Sequence, residues 1–522
     1  MRQVSSSLSS ARLATITTLV GAVVVAGCCP TIPRETTPPP VEPTPVEPTP
    51  VEPPPPPPGP PPVPWESAGL DWSQPPAAWP ETPFTAPVPT TFRLANGLSV
   101  VLVENHRLPL VSVRVLAQAA GSRADGAKAG LAAFTADLLD EGAGTRGALE
   151  LSEELERLGA DLTIGAGPDQ TQLSVDTLAE TLDPTLGLLA DVLLRPRFAP
   201  ADVARVKAER KADLALRPDQ PRLLASLAFD AIVHAGHPYA QAGAGYVGTL
   251  DKLALADVKG FWQTHYGPAA TTIVVAGDVT RDRLEAMLKA HLGAWKTKVK
   301  PMAKVAAPRP PVPVIALVHR PGAPQSVVRI GRQAPTSAEL APAARAAADV
   351  ANMAAGGSFA SRLNSKLREE LGYTYGMFSS YWRAQWAGAW YVSSSIRTDV
   401  TVPGIKETLA IIGALGTQPL PDAELAKAKA LIQRSLPQDF ETNGGIAGAF
   451  AALVADGRPL TAYRDLPAEI GAVDAAAAQQ AAASWKDLVI VVVGDRDVIG
   501  KDLASLGLPV VEYDAEGHPV TK

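Results

Sequence analysis

The 522-residue sequence contains only two cysteines, and they are adjacent, at Cys28 and Cys29. The rest of the chain can therefore form neither a disulfide nor a cysteine-based metal site. Lysine and arginine form no dense stretch and the formal net charge is -6, which argues against a nucleic-acid partner. The sequence also lacks a Gly-x-Ser-x-Gly elbow and a Walker-type phosphate loop, so neither a serine hydrolase nor a nucleotide-dependent enzyme has support.

Histidine is scarce as well, with seven residues in the whole chain. Only His234 and His237 lie close together in the sequence, and a metal site there is one interpretation. Their spacing of three residues runs directly into Pro238, however, which ends a regular ligand-bearing helix. We therefore predict a structural role for this pair.

The N-terminus carries Arg2 and Arg12, followed by an uncharged run that ends in Val-Ala-Gly immediately before Cys28. This pattern resembles a bacterial lipoprotein signal with its lipobox; an ordinary secretory signal or a short membrane anchor is the alternative. We predict that residues 1–27 are removed and that Cys28 is acylated. Cys29, rather than aspartate, follows it, which favours the outer membrane of a bacterial cell envelope, with the protein facing the periplasm.

Residues 28–85 are dominated by proline, including an unbroken run at 53–58. Such a segment cannot donate backbone hydrogen bonds or bury a core, so we predict a stiff polyproline II stalk that lifts the folded part off a membrane. A more specific alternative, which the same composition allows, is that this segment is a ligand for SH3-like domains.

The remaining sequence contains two similar halves, each with strands and helices that are mostly segregated. The apolar run Ile273–Gly277, followed by Asp278, has a counterpart in Val489–Gly494, followed by Asp495. A period of roughly 200 residues is typical of a duplicated domain. Strands and helices that are segregated within each half predict the α+β class. We predict an N-terminal domain at 86–297, a proline-rich linker at 298–313, a C-terminal domain at 314–506 and a tail at 507–522.

The N-terminal domain opens with two apolar runs around Asn96-Gly97, which predict a β-hairpin. Further along, the segment Gly130–Gly142 places Leu131, Phe134 and Leu138 at helical spacing. It predicts one amphipathic helix that buries this stripe.

That segment resembles the zinc-site helix of the pitrilysin/insulinase (M16) metallopeptidases, in which two histidines at i and i+4 bind zinc and a glutamate between them acts as the base. In this chain the three positions hold Ala133, Ala136 and Asp137. Two methyl groups and one carboxylate cannot hold a catalytic zinc, so we predict no catalytic residue, no metal and no cofactor in this chain. The resemblance implies two α/β-roll domains that face each other like a clam shell.

The third zinc ligand of the family is a glutamate roughly 75 residues beyond the motif, on a charged helix. Asp213 lies near that position and Glu209, on the same predicted helix, is a second candidate. Neither restores the site, because the motif supplies no histidine. Weak binding of a hard cation by Asp137 and Asp213 is an alternative that carboxylate chemistry allows.

The segment Gly356–Tyr375 resembles the M16 C-terminal signature, in which Gly-Gly-x-x-Ser-Arg-Leu leads to Leu-Arg-Glu-x-x-Gly-x-x-Tyr. In the family its arginine and tyrosine hold the substrate backbone beside the zinc. The resemblance therefore implies that Arg368 and Tyr375 bind substrate, since guanidinium and phenol groups donate to peptide carbonyls. Without the motif, Arg368 would be interpreted as a surface charge and Tyr375 as a core residue.

Some M16 peptidases consist of two different chains, of which one carries the zinc motif and the other the arginine and tyrosine with a degenerate motif. This sequence has the second pattern. We expect a lipid-anchored, catalytically silent homologue that binds extended polypeptide and completes the chamber of a zinc-bearing M16 partner. An active zinc metallopeptidase with a rearranged site and an envelope scaffold are the competing hypotheses.

Overall fold

A computed structural model describes residues 84–299 and 305–520. The predicted signal, the lipidation site at Cys28 and nearly all of the predicted stalk lie outside the described residues. Within the described ranges, no helix is long and apolar enough to cross a membrane. The described part of the predicted linker, residues 305–313, forms neither helix nor strand.

The first half is built on a six-stranded sheet with the order β1-β2-β8-β3-β7-β6. All neighbours in it are antiparallel except β2 and β8, which are parallel. Two further short strands, β4 and β5, form a separate ribbon. The strands are β1 (Thr90–Arg93), β2 (Ser99–Glu104), β3 (Leu110–Ala117), β4 (Gly142–Ala143), β5 (Arg146–Gly147), β6 (Asp161–Ala166), β7 (Thr171–Leu178) and β8 (Thr271–Gly277).

The predicted opening hairpin is confirmed. Strands β1 and β2 pair antiparallel, with Arg93 opposite Ser99. Gly97 in the turn has a φ of +93°, a backbone conformation that side chains with a Cβ rarely adopt. The Asn-Gly sequence therefore fixes the turn, and the turn fixes the register of both strands.

Eight helices accompany this sheet in the described first half. They are α1 (Leu131–Ala136), α2 (Ala148–Arg157), α3 (Leu182–Leu194), α4 (Pro200–Ala215), α5 (Pro221–Val233), α6 (Val247–Lys252), α7 (Leu255–His265) and α8 (Arg281–Leu292).

The motif helix is shorter than the sequence predicts. Helix α1 has six residues, begins after Gly130 at a φ of +94° and ends at Ala136. The carboxylate of Asp125 accepts the N–H groups of Gly130 (2.7 Å) and Ala132 (2.8 Å), which satisfies donors at its first turn. The prediction of one long amphipathic helix is wrong. The core encloses the segment on most sides, and Leu138 is fully buried although it lies beyond the end of the helix. Burial of the apolar residues therefore does not require the helix to continue.

The second half repeats the plan with a six-stranded sheet of order β11-β12-β10-β13-β9-β14. Strand β9 is parallel to both β13 and β14, and the other pairs are antiparallel. Strand β14 lies beyond residue 506, where the sequence predicted the domain to end. The strands are β9 (Ile315–His319), β10 (Gln325–Ala334), β11 (Thr374–Arg383), β12 (Gly388–Arg397), β13 (Val489–Gly494) and β14 (Val510–Tyr513).

Eight helices accompany the second sheet in the described residues, and π-helical turns at Met353–Gly357 and Ser365–Glu370 flank the short α10. The helices are α9 (Pro342–Asn352), α10 (Arg362–Asn364), α11 (Thr401–Thr417), α12 (Asp422–Ser435), α13 (Asn443–Ala455), α14 (Ala462–Gly471), α15 (Ala475–Ala482) and α16 (Arg496–Leu503). Both halves mix one sheet with helices, which confirms the duplicated α+β fold.

The two halves exchange a helix. Helix α5 of the first half packs on the second sheet, where Phe229 is fully buried, and α13 of the second half packs on the first sheet through Phe450. The other face of each sheet is covered by helices of its own half. This explains why β8 from Ile273 onwards and β13 along its whole length are apolar, since both faces of these strands are buried.

Candidate functional site

The three positions of the degenerate zinc motif differ in their surroundings. Ala136 is fully buried, whereas Ala133 and Asp137 are partly exposed and line the same cavity. Ala133 and Asp137 lie one helical turn apart, which places them on the same face at the end of α1. The backbone therefore presents two adjacent positions to the cavity, but only one of them carries a polar group.

The carboxylate of Asp137 is held by Arg210, which projects from α4. Arg210 also donates to the carbonyl of Ala244 at 3.1 Å, and its side chain is 13% exposed. Burial raises the pKa of Asp137, nearby Asp213 and Glu141 raise it further, and Arg210 opposes the increase. The guanidinium therefore supplies the positive charge that this cluster of carboxylates requires.

The two candidates for a third metal ligand differ in their partners. Glu209 accepts hydrogen bonds from Arg205 at 3.1 Å, one turn earlier on α4. Arg205 also forms an ion pair with Glu141. Asp213 is exposed and forms no ion pair with any residue in the described ranges. The charged face of α4 is thus an ion-pair network in which arginines neutralise the acidic groups around the motif.

A cavity of about 500 Å³ opens in front of the motif, and we call it the motif cavity. Ala133, Asp137 and Arg210 line it from the first half. Arg329, Trp382 and Tyr391 line it from strands β10, β11 and β12 of the second half. The two halves therefore form the cavity jointly, at the position where the motif meets the second sheet.

The predicted substrate-binding pair, Arg368 and Tyr375, does not line this cavity. Arg368 lies in the π-helical turn after α10, with its guanidinium 3.9 Å from the ring centre of Phe359 and 3.5 Å from a carboxylate oxygen of Glu369. Tyr375, at the start of β11, is 90% exposed, so it is not a core residue. The structure thus brings Arg368 and Tyr375 to an exposed surface at the edge of the second sheet and separates them from the walls of the motif cavity.

Comparisons with known proteins agree with this architecture. A family model described as "Insulinase (Peptidase family M16)" matches residues 99–234, and one described as "Peptidase M16 inactive domain" matches residues 252–432. The chain belongs to the M16 family. The two matches fall on the two duplicated halves, and they confirm the resemblance that the zinc-motif segment and the arginine-tyrosine segment indicate.

Relatives in this family carry different names. An uncharacterised zinc protease of Mycobacterium tuberculosis is 26% identical over 373 residues, covering 70% of this chain and 83% of that protein. A non-peptidase homolog, YmxG, of Helicobacter pylori is 27% identical over 184 residues, covering 35% of this chain and 43% of that protein. A crystal structure of a peptidase M16 inactive domain from Pseudomonas fluorescens superposes with a TM-score of 0.73 at 26% identity, covering 78% of this chain and 98% of that one.

The residues at the M16 motif do not fit a zinc ion. Zinc in this family is held by imidazole and carboxylate ligands, but the two histidine positions hold Ala133, which has no ligand atom, and Asp137, which is paired with Arg210. A divalent cation at this place would lie beside a guanidinium that already neutralises Asp137. No step through a metal can be derived from these residues.

His234 and His237 are both buried, at 1% and 3% exposure. Burial lowers the pKa of each imidazole to about 4, and His237 accepts the backbone N–H of Tyr239 at 3.1 Å. Their rings pack against Tyr239, and that of His234 also packs against Trp382. The observed packing agrees with the structural role that the sequence predicts for the pair.

Sequence reasoning missed one polar group of metal-ligand type. His319, Asp495 and Asp497 bring their ligand atoms within 4.8 Å of one another, although His319 and Asp495 are 176 positions apart in the sequence. Each already has a protein partner: His319 accepts the backbone N–H of Arg496 at 3.1 Å, Asp495 accepts that of Gly322 at 2.8 Å, and Asp497 accepts from the Arg496 side chain at 3.2 Å. We interpret this group as an exposed hydrogen-bond network and assign no metal to it.

Proposed function

We propose that this M16 homologue is catalytically silent alone, binds extended polypeptide and completes the chamber of a zinc-bearing M16 partner subunit. The observation that carries the proposal is the state of the motif: two methyl groups, and a carboxylate that is already paired with Arg210. A protein with the M16 fold but no metal site can still bind other molecules through its surfaces, but it cannot hydrolyse peptides by the metal-dependent mechanism. Binding polypeptide and binding a partner are the roles that remain.

The names of relatives support the silent role. The name of the Helicobacter pylori homolog states that it is not a peptidase, whereas the mycobacterial relatives are named zinc proteases. The family thus includes members of both kinds at similar identity to this chain. Since this chain lacks the metal ligands, the silent role fits it better than the catalytic one.

The surface around Arg368 and Tyr375 supports polypeptide binding. Phe359, Tyr375 and Phe378 are exposed there, at 57%, 90% and 47%. They lie at or beside β11, which ends the strand order of the second sheet. An edge strand offers unpaired backbone groups to an extended peptide, and Arg368 and Tyr375 add donors for its carbonyls. Large exposed aromatic groups in a cluster are typical of an interaction surface.

The proposal includes anchoring at Cys28 in the outer membrane, with the stalk holding the folded part away from the lipid. Changing Cys28 to alanine should release the protein from the membrane fraction and abolish incorporation of a radiolabelled fatty acid. Changing Cys29 to alanine is the matched control and should leave both unchanged. Membrane association that survives the Cys28 change would contradict a lipid anchor.

The first test of the silent role is the zinc content of the protein without its predicted signal and stalk (residues 1–85), which we call the stalkless protein. The protein is purified without a metal-affinity tag, and its zinc content is measured by elemental analysis. We expect no stoichiometric zinc and no cleavage of peptides by the chain alone. About one zinc per chain would overturn the proposal and favour an active peptidase with a rearranged site. The zinc content of variants at His234, His237 and His319 would then locate its ligands.

The second test addresses the polypeptide surface. In the presence of the zinc-bearing subunit, changing Arg368 to alanine together with Tyr375 to phenylalanine should weaken substrate binding and slow partner-dependent cleavage. A matched control changes Arg464 to alanine and Tyr513 to phenylalanine, because both lie outside this surface. Equal activity of the two double variants would contradict the polypeptide role and favour a scaffold.

A further inference from the structure

The loop between β2 and β3, residues 105–109, joins the first sheet to the exchanged helix α13. The side-chain amide of Asn105 donates to Oδ1 of Asn443 at 2.7 Å, and Asn443 is the first residue of α13. The Asn443 amide in turn donates to the carbonyl of Leu110, where β3 begins, at 2.8 Å. The position of the loop and the position of the start of α13 therefore depend on each other.

One side chain of this loop, His106, lies between two carboxylates of the first sheet. Its Nδ1 is 2.6 Å from Oδ1 of Asp278, which follows β8, and its Nε2 is 3.3 Å from Oε2 of Glu104, the last residue of β2. Strands β2 and β8 are parallel neighbours, so both carboxylates lie at the same end of the sheet. His106 therefore connects the loop to the ends of two strands.

A neutral imidazole cannot make both of these contacts. It has one N–H group, so it donates to one carboxylate while its other nitrogen presents a lone pair to the second. Two acceptors that face each other in this way repel. An imidazolium has two N–H groups and can donate to both carboxylates. The arrangement around His106 therefore fits the protonated form of the ring.

The charges beside His106 favour the same form. The hydrogen bond to Asp278, and then the one to Glu104, raise the pKa of His106 above its ordinary value of 6.5. On the adjoining helix α8, Arg281 donates its backbone N–H to Glu104 at 3.2 Å, whereas its guanidinium pairs with Glu285 at 3.5 Å. The carboxylates therefore outweigh the cation that adjoins them.

The side of the loop that faces α13 adds no net charge. Asn443 is uncharged, and Arg114 and Asp176, which lie beside Gly444, pair with each other at 3.2 Å. Within the loop, Arg107 is exposed and forms no ion pair with any residue that the structure describes. Glu104 and Asp278 are thus the two groups whose contacts with His106 depend on its proton.

We propose that His106, Glu104 and Asp278 form a pH-sensitive clip, in which the imidazolium fixes the β2–β3 loop and the start of α13, and loss of its proton releases them. The three residues line neither the motif cavity nor the surface around Arg368 and Tyr375. The clip requires neither zinc nor a partner subunit, so it can be tested on the stalkless protein alone.

The direction of the pH response follows from the sign of the pKa shift. Because the pKa of His106 is higher in the folded protein, the clip is fully closed below pH 6.5 and opens as the pH rises through the folded-state pKa. The side chains of His106 and Glu104 are 51% and 39% exposed, so the effect on global stability is small. The response is expected in the loop and in the first turn of α13.

An NMR titration of the histidine rings tests the protonation of His106. The His106→Gln variant assigns the signal, and His106 should titrate above pH 6.5. The Asp278→Asn variant should lower this pKa more than the Glu104→Gln variant does, because the contact with Asp278 is shorter. A pKa of His106 at or below 6.5 in the parent protein would overturn the proposal.

Rapid-mixing hydrogen exchange with mass spectrometry tests the release of the loop. The His106→Lys variant keeps a positive charge throughout the experiment, and variants are compared at the same pH so that the chemical dependence of exchange on pH cancels. The parent loop should exchange like that of His106→Lys at pH 5.5 and about threefold faster at pH 8.5, the factor expected for loss of an exposed ion pair. Equal rates in the two proteins at both pH values would contradict the release.

Two further variants separate the clip from other sources of the response. His518 is also exposed beside two carboxylates, those of Asp514 at 3.8 Å and Glu516 at 4.0 Å, so His518→Gln is the matched control and should leave the response of the loop unchanged. Asn443→Ala should abolish the response of α13 and preserve that of the loop. Loss of the loop response in His518→Gln, or a response of α13 that survives Asn443→Ala, would contradict the proposed coupling.

Discussion

At the scale of single residues, the motif of this chain has neither histidine, and its one carboxylate is paired with a guanidinium. Asp137 stands at the second histidine position of the M16 motif and is neutralised by Arg210 from α4. The sequence shows the substitution at Asp137 directly. It does not show that Arg210 is the partner, because the two residues are 73 positions apart and any of several basic residues on α4 could have reached the motif.

Restoring the ligands tests this interpretation. Changing Ala133 and Asp137 to histidine should create only a weak zinc site, because Arg210 places a second positive charge beside the metal. Adding an Arg210 to alanine change should tighten zinc binding by at least about tenfold, since charge repulsion at this range is worth more than 1.4 kcal/mol. Zinc affinity is measured by competition with a chromogenic chelator.

The variant with histidine at positions 133 and 137 and alanine at position 210 can also identify the third zinc ligand. Removing the carboxylate of Asp213 or of Glu209 by change to alanine should weaken zinc binding only for the residue that coordinates the metal. Equal zinc affinity with and without Arg210 would contradict the view that this arginine replaces the cation.

Two buried histidines should make stability depend on pH. The pKa of His234 and of His237 is lowered to about 4 in the folded protein, whereas an unfolded histidine titrates near 6.5. Between these values the unfolded chain binds more protons, so the stabilising contribution is complete above pH 6.5 and is lost as the pH falls towards 4. The maximal slope is about 1.4 kcal/mol per pH unit for each histidine.

Buried aspartates act in the opposite direction, because burial raises the pKa of Asp125, Asp140 and Asp230 to about 6. The contribution of the histidines is therefore measured by comparing two proteins, the parent and a variant with His234 changed to phenylalanine and His237 to asparagine. The free energy of unfolding of each is determined by urea denaturation from pH 7 to pH 4. The variant should lose less stability over this range. Parallel pH profiles would contradict the assignment.

At the scale of elements, sequence patterns predicted the opening hairpin, the buried strands β8 and β13 and the charged helix α4. The Asn-Gly hairpin and the long charged helix α4 needed only local signals, because turn chemistry and periodicity decide them. Helix α1 was predicted too long for a physical reason. Its apolar spacing indicates burial, but an enclosed segment can bury the same residues without continuing as a helix.

The exchange of α5 and α13 could not be predicted from the sequence. The pattern of α5 shows an apolar face, but no local feature says which sheet that face covers. The continuous apolar runs of β8 and β13 did carry a signal, since such strands need cover on both faces. The number of helices in each half still does not reveal that one of the covering helices comes from the other half.

Phe229 tests the contribution of the exchanged helix. It is fully buried between α5 and the second sheet, so changing it to alanine should lower the free energy of unfolding by about 3–5 kcal/mol. Leu223, on the same helix and 37% exposed, is the matched control and should cost less than about 1 kcal/mol when changed to alanine. Both are measured by urea denaturation; similar losses for the two variants would contradict the packing of α5.

At the scale of the whole molecule, the duplication was visible in the sequence because a buried strand followed by Gly-Asp recurs. In the structure, Gly277-Asp278 and Gly494-Asp495 end β8 and β13, the strands parallel to β2 and β9. Cavities cannot be predicted in this way. Asp230 and Arg329 come from different halves, and only the exchange of α5 brings them to one wall.

The helix exchange also restricts how the molecule can move. Opening the two halves like a clam shell would expose both exchanged faces to water, at a cost of roughly 1.5–3 kcal/mol for each large side chain. Such opening is therefore too costly to admit a substrate. We expect a polypeptide to enter between this chain and the proposed partner subunit, and not between the two halves of this chain.

A covalent lock tests this expectation. The side chains of Asn105, after β2, and Asn443, at the start of α13, are in hydrogen-bond contact at 2.7 Å, so cysteines at both positions of the stalkless protein can be joined by a short bismaleimide. The locked protein should support partner-dependent cleavage at the unlocked rate, since α13 already holds the halves together. Unmodified double-cysteine protein is the control for the substitutions. A large loss of cleavage only after locking would show that the halves must separate for the polypeptide to enter.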